Sequence, residues 1–352
     1  MRDATLSPSA QADAVVVDDF TQGGAHAVAP AAGAAATSPA AVPRYYGETL
    51  LALARERGHI VALSADLSSS TETDLFRDAL PERFINAGIA EANMVGVAGG
   101  LARSGMQAWV HTFCVFATRR PYDQVAMQVA YPKADVKIVG FLPGLATILG
   151  VSHQAIDDVA LMRALPNMTV IEPAGPAQVP AAVRAAADHK GPVYLRLLRA
   201  SQALPAGTPW MPLRIGEIQP LEADEGEVLL LASGLMVEVA LAAAARLRAG
   251  GLGVAVANAH TLKPFDDDFV RAQAQQRRLI VTLENHSVIG GLGSAVAEAM
   301  AEAGGGARLL RLGVRDRFAQ GASMPWLFER HGLTPPAVAE AVRRALAAGD
   351  AR

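Results

Sequence analysis

The chain is 352 residues long, and at about 150 residues per domain the starting expectation is two compact domains. Hydrophobic residues make up 51% and charged residues 18%, with Lys+Arg 31 nearly balancing Asp+Glu 34; this excludes a disordered polyampholyte, a polybasic nucleic-acid binder and collagen-like repetition. The single cysteine, Cys114, excludes an internal disulfide and a cysteine-based zinc site and points to a reducing, cytoplasmic setting.

Residues 1–42 are rich in Ala, Pro, Gly and Ser, carry little periodicity and almost no aromatic side chains, and read as a flexible tail. Asp3, Asp13, Asp18 and Asp19 break any secretory-leader pattern. From Arg44 onward, short β-branched runs alternate with Ala-rich helical patterns. The runs are Ile60–Leu63, Ala108–Val110, Val136–Val139, Thr169–Ile171 and Val193–Leu195, and such alternation predicts a doubly wound, mainly parallel sheet flanked by helices. Pro205, Pro209, Pro212 and Pro220 then punctuate a stretch without sustained period, which reads as a linker.

A second α/β set comes next, with strands expected at Val228–Leu231, Val254–Val256, Leu279–Thr282 and Leu309–Leu310. The longest apolar run, Val228 to Val237, holds Ser233 and Gly234 and is too short to span a bilayer. A last helix is expected from Pro335 to Leu346, with Thr334 as its N-cap. The domain expectation is therefore a tail over 1–42, a first domain over 43–203, a linker over 204–222, a second domain over 223–347 and a short tail over 348–352. No short-period repeat is visible.

Three segments carry residues suited to chemistry. Gly88-Ile89-Ala90-Glu91 opens a helix that also holds Gly96, Gly99 and Gly100; a carboxylate is favoured at a helix start, and glycines admit another backbone or a flat ligand. Phe113 and Phe116 end a predicted strand, the edge from which open α/β sheets present ligand loops, and form a candidate ring-stacking platform. Ser152-His153-Gln154 precedes another helix and offers a proton shuttle. Each also has a plain structural reading: an acidic first turn, core aromatics, and a polar cap.

The joint order of these segments resembles the C-terminal portion of the transketolase family of thiamine diphosphate enzymes, over roughly residues 43–347. The resemblance rests on Arg44-x-x-x-Glu48-Thr49, Ser64-Ala65-Asp66-Leu67-Ser68-Ser69-Ser70, Gly88-Ile89-Ala90-Glu91, Thr112-Phe113-Cys114-Val115-Phe116, Ser152-His153-Gln154 and Leu165-Pro166-Asn167-Met168. In the second domain it rests on Leu262-Lys263-Pro264 and on the run from Glu284 to Gly293. That run lacks the full G-x-G-x-x-G pattern of a dinucleotide site.

The resemblance implies a transketolase-like pyrimidine-binding domain followed by a transketolase C-terminal domain, and thiamine diphosphate with Mg2+ as cofactors. It implies that the Glu91 carboxyl hydrogen-bonds the aminopyrimidine ring nitrogen, so promoting proton removal from the thiazolium carbon. Phe113 and Phe116 would hold the aminopyrimidine, with Asp66, Leu67 and Ile89 beside the cofactor. His153 would handle the donor hydroxyls, and Arg44, Ser70 and Arg199 would bind a sugar phosphate.

Two departures from the family pattern shape the expectation. No Gly-Asp-Gly motif for magnesium and diphosphate is present, and the first 42 residues are too short for the domain that carries it. One half of a split enzyme is therefore expected, with the metal and diphosphate ligands on an N-terminal partner subunit and two copies of each subunit. In addition, the polar residues the family shows between Gly140 and His153 are replaced by Leu142, Ile148 and Leu149, which makes the substrate pocket more apolar.

The leading function is transfer of a two-carbon ketol or acyl unit from donor to acceptor. One alternative is a pyruvate-type 2-oxo acid donor, or a dehydrogenase beta-like subunit, although Tyr122-Asp123-Gln124-Val125 looks closer to split transketolases. The other is a non-catalytic regulatory homologue.

Overall fold

A computed structural model describes residues 43–198, 212–222 and 226–350. The expected tail over 1–42, residues 204–211 of the linker, and Arg199 lie outside the described residues. Twelve strands build two sheets among the described residues: β1 (Ile60–Ser64), β2 (Phe84–Asn86), β3 (Gln107–Phe113), β4 (Val136–Phe141), β5 (Thr169–Ile171), β6 (Val193–Leu197), β7 (Gln219–Glu222), β8 (Val228–Ala232), β9 (Val254–Asn258), β10 (Thr261–Lys263), β11 (Leu279–Ser287) and β12 (Arg308–Val314).

The seven-stranded sheet has the order β10-β5-β6-β4-β3-β1-β2 and the five-stranded sheet the order β12-β11-β8-β9-β7. All pairings are parallel except those of the edge strands β10 and β7. The expected fold class, two mainly parallel sheets flanked by helices, is thus the observed one. Helices cover both faces of each sheet, so β1, β4, β6, β8 and β9 are buried along their whole length. That is why these strands read as mainly apolar runs, interrupted within by Lys137 in β4 and Arg196 in β6, both buried.

Three short strands are invisible to periodicity. β2 and β10 have three residues each, and β7 contains Pro220. A proline has no N–H to give a ladder and is tolerated there because β7 lies at a sheet edge. β10 also crosses the expected domain division, since it follows β9 in the chain but pairs with β5 of the first sheet. The Lys263 ammonium fastens this crossing by donating to the carbonyls of Arg163 and Leu165. The final helix, Pro335–Asp350, outlasts the expected end at Leu346 because Ala347 and Ala348 are strong helix formers.

The two sheets meet through a buried polar network. Arg196 on β6 donates to Asp158 at 2.7 Å and to Glu172, and its Nη2 reaches the carbonyls of Ala155 at 3.2 Å and Asn285 at 3.0 Å. Tyr194 donates to Asp158 at 2.7 Å, and Ser233 to Glu172 at 2.8 Å. The guanidinium holds the Asp158 carboxyl below its ordinary value against the opposing effect of burial.

Glu284 on β11 lacks so close a cation. It accepts the N–H groups of Leu292 at 2.8 Å and Gly293 at 2.9 Å at a helix start, yet burial pushes its carboxyl up to about 8. The folded chain therefore keeps a proton that the unfolded chain has lost. The stability this confers is complete below about 4.5 and is lost as pH rises through about 8.

His286, with its Nδ1 3.7 Å from Glu284, is held below its ordinary 6.5 by burial, as are His111 and His260. These histidines favour folding as pH rises, but only up to about 6.5. Melting temperature is therefore expected to fall between about pH 6.5 and 8 and to level off above that, and Glu284→Gln is expected to flatten that fall. Equal slopes for the two chains would show that Glu284 does not carry it.

Candidate active site

The parallel order β2-β1-β3-β4 brings the C-terminal ends of four strands to one edge, where open α/β sheets bind ligands. The register aligns Ser64 with Asn86, Ser64 with His111, and Phe113 with Phe141. The segments leaving these strand ends therefore converge: Glu91 after β2, Asp66 and Leu67 after β1, Phe116 after β3, and Leu142 and His153 after β4.

Glu91 is the first residue of the helix Glu91–Arg103 and is only 4% exposed. Of the three glycines in that helix, Gly99 alone needs to be glycine for close packing, because a Cβ there would lie 2.8 Å from the Gln128 carbonyl. At Gly96 and Gly100 a Cβ would meet open space.

Phe113 ends β3 and Phe116 follows within the short helix Cys114–Thr118; their ring centroids are 6.1 Å apart with planes 32° from parallel. Gly140 lets this helix sit down on β4, since a Cβ there would lie 2.9 Å from the Cys114 sulfur. Burial pushes the Cys114 thiol well above its usual value, so it is a packing residue. His111 is structural too. Its Nδ1–H donates to the Leu63 carbonyl at 2.8 Å, leaving Nε2 to accept from the Tyr46 hydroxyl, and burial lowers it to about 4.

The His153 ring lies 6.1 Å from Phe113 and 5.1 Å from Phe116, close to perpendicular to the latter. Its Nδ1 is 2.9 Å from the Ser152 hydroxyl. The segment leading to it is clamped by Asn285, whose side chain accepts from the Leu145 N–H at 2.9 Å and donates to the Pro143 carbonyl at 3.0 Å. Within it, Leu142 adopts a left-handed φ of 58°, a conformation a branched residue holds only where its surroundings enforce it. Ile148 and Leu149 are 69% and 54% exposed, so they present an apolar surface to solvent.

The other expected residues divide. Asp66 takes a φ of 61° and exchanges hydrogen bonds with Asn86 at 3.2 and 3.1 Å, which fixes the segment after β1. The Leu67 N–H donates to Ser64 at 3.1 Å. Arg44 forms an ion pair with Asp74 beside the turn that holds half-buried Ser70. Ile89 is 74% exposed.

Sequence reasoning missed Arg120. Its guanidinium donates to Glu91 at 2.8 Å and lies 3.9 Å from the centre of the Phe116 ring. The neighbouring Arg119 is bound bidentately by Asp157. The adjacent arginines are visible as a pair, but nothing in the sequence says which carboxylate each one meets.

The geometry fits an aminopyrimidine: a buried carboxylate next to an aromatic face, which already accepts a planar N–H donor. Among the described residues no three His, Cys, Asp or Glu side chains are grouped to hold a metal ion, and no helix is long and apolar enough to cross a membrane.

Comparison with known proteins gives the family. Residues 26–203 match the transketolase pyrimidine-binding domain and residues 216–338 the transketolase C-terminal domain. A transketolase family protein of Sinorhizobium fredii is 42% identical over 294 residues, covering 83% of this chain and 85% of its own. The chain belongs to the transketolase family. The family's reaction is thiamine diphosphate-dependent ketol transfer. A 6-deoxy-6-sulfo-D-fructose transketolase subunit of a Clostridium species is 43% identical over 297 residues, covering 84% of this transketolase chain and 91% of its own. A solved structure described as a split gene transketolase, an inactive beta4 tetramer, superposes with a TM-score of 0.78 at 43% identity, covering 86% of this chain and 97% of that one.

Proposed function

We propose that this chain is the pyrimidine-binding and C-terminal subunit of a split, cytoplasmic transketolase. In this reading it is active only with a separate subunit that supplies the Mg2+ and diphosphate ligands, in an assembly of two copies of each. The observation that carries the proposal is the cluster of Glu91, Phe113, Phe116 and His153 at one sheet edge. When bound, thiamine diphosphate supplies the nucleophilic carbon on which the two-carbon unit is carried. Glu91 binds the ring nitrogen and holds or releases a proton there. Phe113 and Phe116 stack on the ring, with Asp66 and Leu67 beside it, while His153 bonds the donor hydroxyls. Arg44, Ser70 and Arg199 are assigned to binding the anionic end of a sugar phosphate, and Ile89 to the cofactor.

The donor divides two readings. A ketose with an anionic tail is the first, supported by the arginines and by the relative named for a sulfonated fructose. A 2-oxo acid such as pyruvate is the second, favoured by the apolar side chains of Leu142, Ile148 and Leu149 where hydroxyl-binding groups are expected.

The test is to co-express the chain with its diphosphate-binding subunit and assay xylulose 5-phosphate, fructose 6-phosphate, 6-deoxy-6-sulfo-D-fructose, hydroxypyruvate and pyruvate, with thiamine diphosphate and magnesium present. Consumption of the ketoses is expected. Reaction of the oxo acids alone would select the second reading, and inertness of the complex toward all five would defeat both.

A further inference from the structure

Arg120 pairs with the buried Glu91 at 2.8 Å while its guanidinium lies 3.9 Å from the Phe116 ring centre. The Arg120 side chain is 46% exposed and the Glu91 side chain 4%. A guanidinium is planar, stacks on aromatic faces and presents N–H donors at its edge. An aminopyrimidine held by this chain needs the same two things: a ring face to lie on and the Glu91 carboxylate at its edge. Two planar groups cannot both lie between Glu91 and the same face of Phe116.

We propose that Arg120 is an internal competitor for the aminopyrimidine place, a positioning residue that must swing outward before the cofactor can stack on Phe116 and reach Glu91. The inference rests on the reading of Glu91 and Phe116 as the pyrimidine site. The short helix Cys114–Thr118 ends just before Arg120, and the side chain is already half in water, so release needs a rotamer change rather than unfolding. Until release, the cation also lies against the Glu91 oxygen whose negative charge the ring nitrogen's proton requires. Arg120 thus keeps a buried carboxylate paired until the true ligand replaces it.

The experiment measures thiamine diphosphate affinity by calorimetry at fixed magnesium, using the complex of this chain with its diphosphate-binding subunit. Wild type is compared with Arg120→Ala and with Arg120→Gln, which keeps bulk and N–H donors but drops the charge. Removing a competitor of this partly exposed kind should tighten binding about five- to tenfold in Arg120→Ala, with Arg120→Gln between it and wild type.

A purely structural arginine would give the opposite sign, a lower melting temperature with cofactor binding weakened or unchanged, and that result overturns the proposal. If Arg120→Ala fails to fold, the Arg120→Gln affinity decides by the same sign. Turnover of Glu91→Ala tests the underlying reading separately. Wild-type turnover there removes the pyrimidine site itself, whereas lost turnover there with unchanged affinity in the Arg120 variants removes only the competitor.

Discussion

Replacing Glu91 by alanine is expected to lower turnover of the assembled enzyme by about 10²- to 10⁴-fold, the usual worth of a positioned proton-transfer group. The fold should scarcely notice. The substitution removes a favourable charge from a helix first turn, worth about 0.3–1 kcal/mol, and leaves Arg120, 46% exposed, free to hydrate. Glu91→Gln preserves the shape but cannot pass a proton to a ring nitrogen, so it should be nearly as slow. Steady-state turnover of the reconstituted pair, set beside melting curves of the same chains, makes the comparison. Equal turnover of wild type and Glu91→Ala would overturn the assignment of Glu91 as the proton-transfer residue.

How much of this is legible in the sequence depends on how local each cause is. β4, β6, β8 and β9 are covered on both faces, so their runs are mainly apolar, Lys137 and Arg196 apart, and stand out from the helical texture around them. β2 and β10 have three residues each and β7 is interrupted by Pro220. Three residues such as Thr261-Leu262-Lys263 hold no period to detect, and the sheet that β10 joins is set by β5, ninety residues earlier.

The site divides in the same way. Glu91, Phe113, Phe116 and His153 stand out through the order of motifs, because each comes after a strand end and the strand order does the rest. The partnership of Arg120 with Glu91 depends on where the residues between them, twenty-nine positions apart, fold, and it has no local signature. The turn before His153 is apolar as its sequence reads, but Ile148 and Leu149 are exposed in this chain. A pocket lined by them needs a surface placed opposite, as the proposed partner would provide.

Arg196→Met is expected to be the most damaging single change to stability, costing about 3–5 kcal/mol from a total that for domains of this kind is about 5–15 kcal/mol. Asp158 and Arg196 are fully buried and Glu172 nearly so, and removing the guanidinium leaves two carboxylates without their cation. By comparison Tyr194→Phe takes one hydrogen bond from Asp158 while the ion pair stays, so about 1–3 kcal/mol is expected.

The damage should also reach the active site. Arg196 grips the carbonyls of Ala155 and Asn285, and Asn285 in turn grips Pro143 and Leu145. The same cation therefore braces both ends of the segment that carries Leu142 and His153. In whatever Arg196→Met protein still folds, substrate KM should rise more than kcat falls, because His153 would be poorly placed while Glu91 remains on its own helix. Urea unfolding and initial-rate kinetics read the two effects separately. A cost under about 1 kcal/mol would mean that the two carboxyls take up protons in the variant, and that the brace does not depend on the cation.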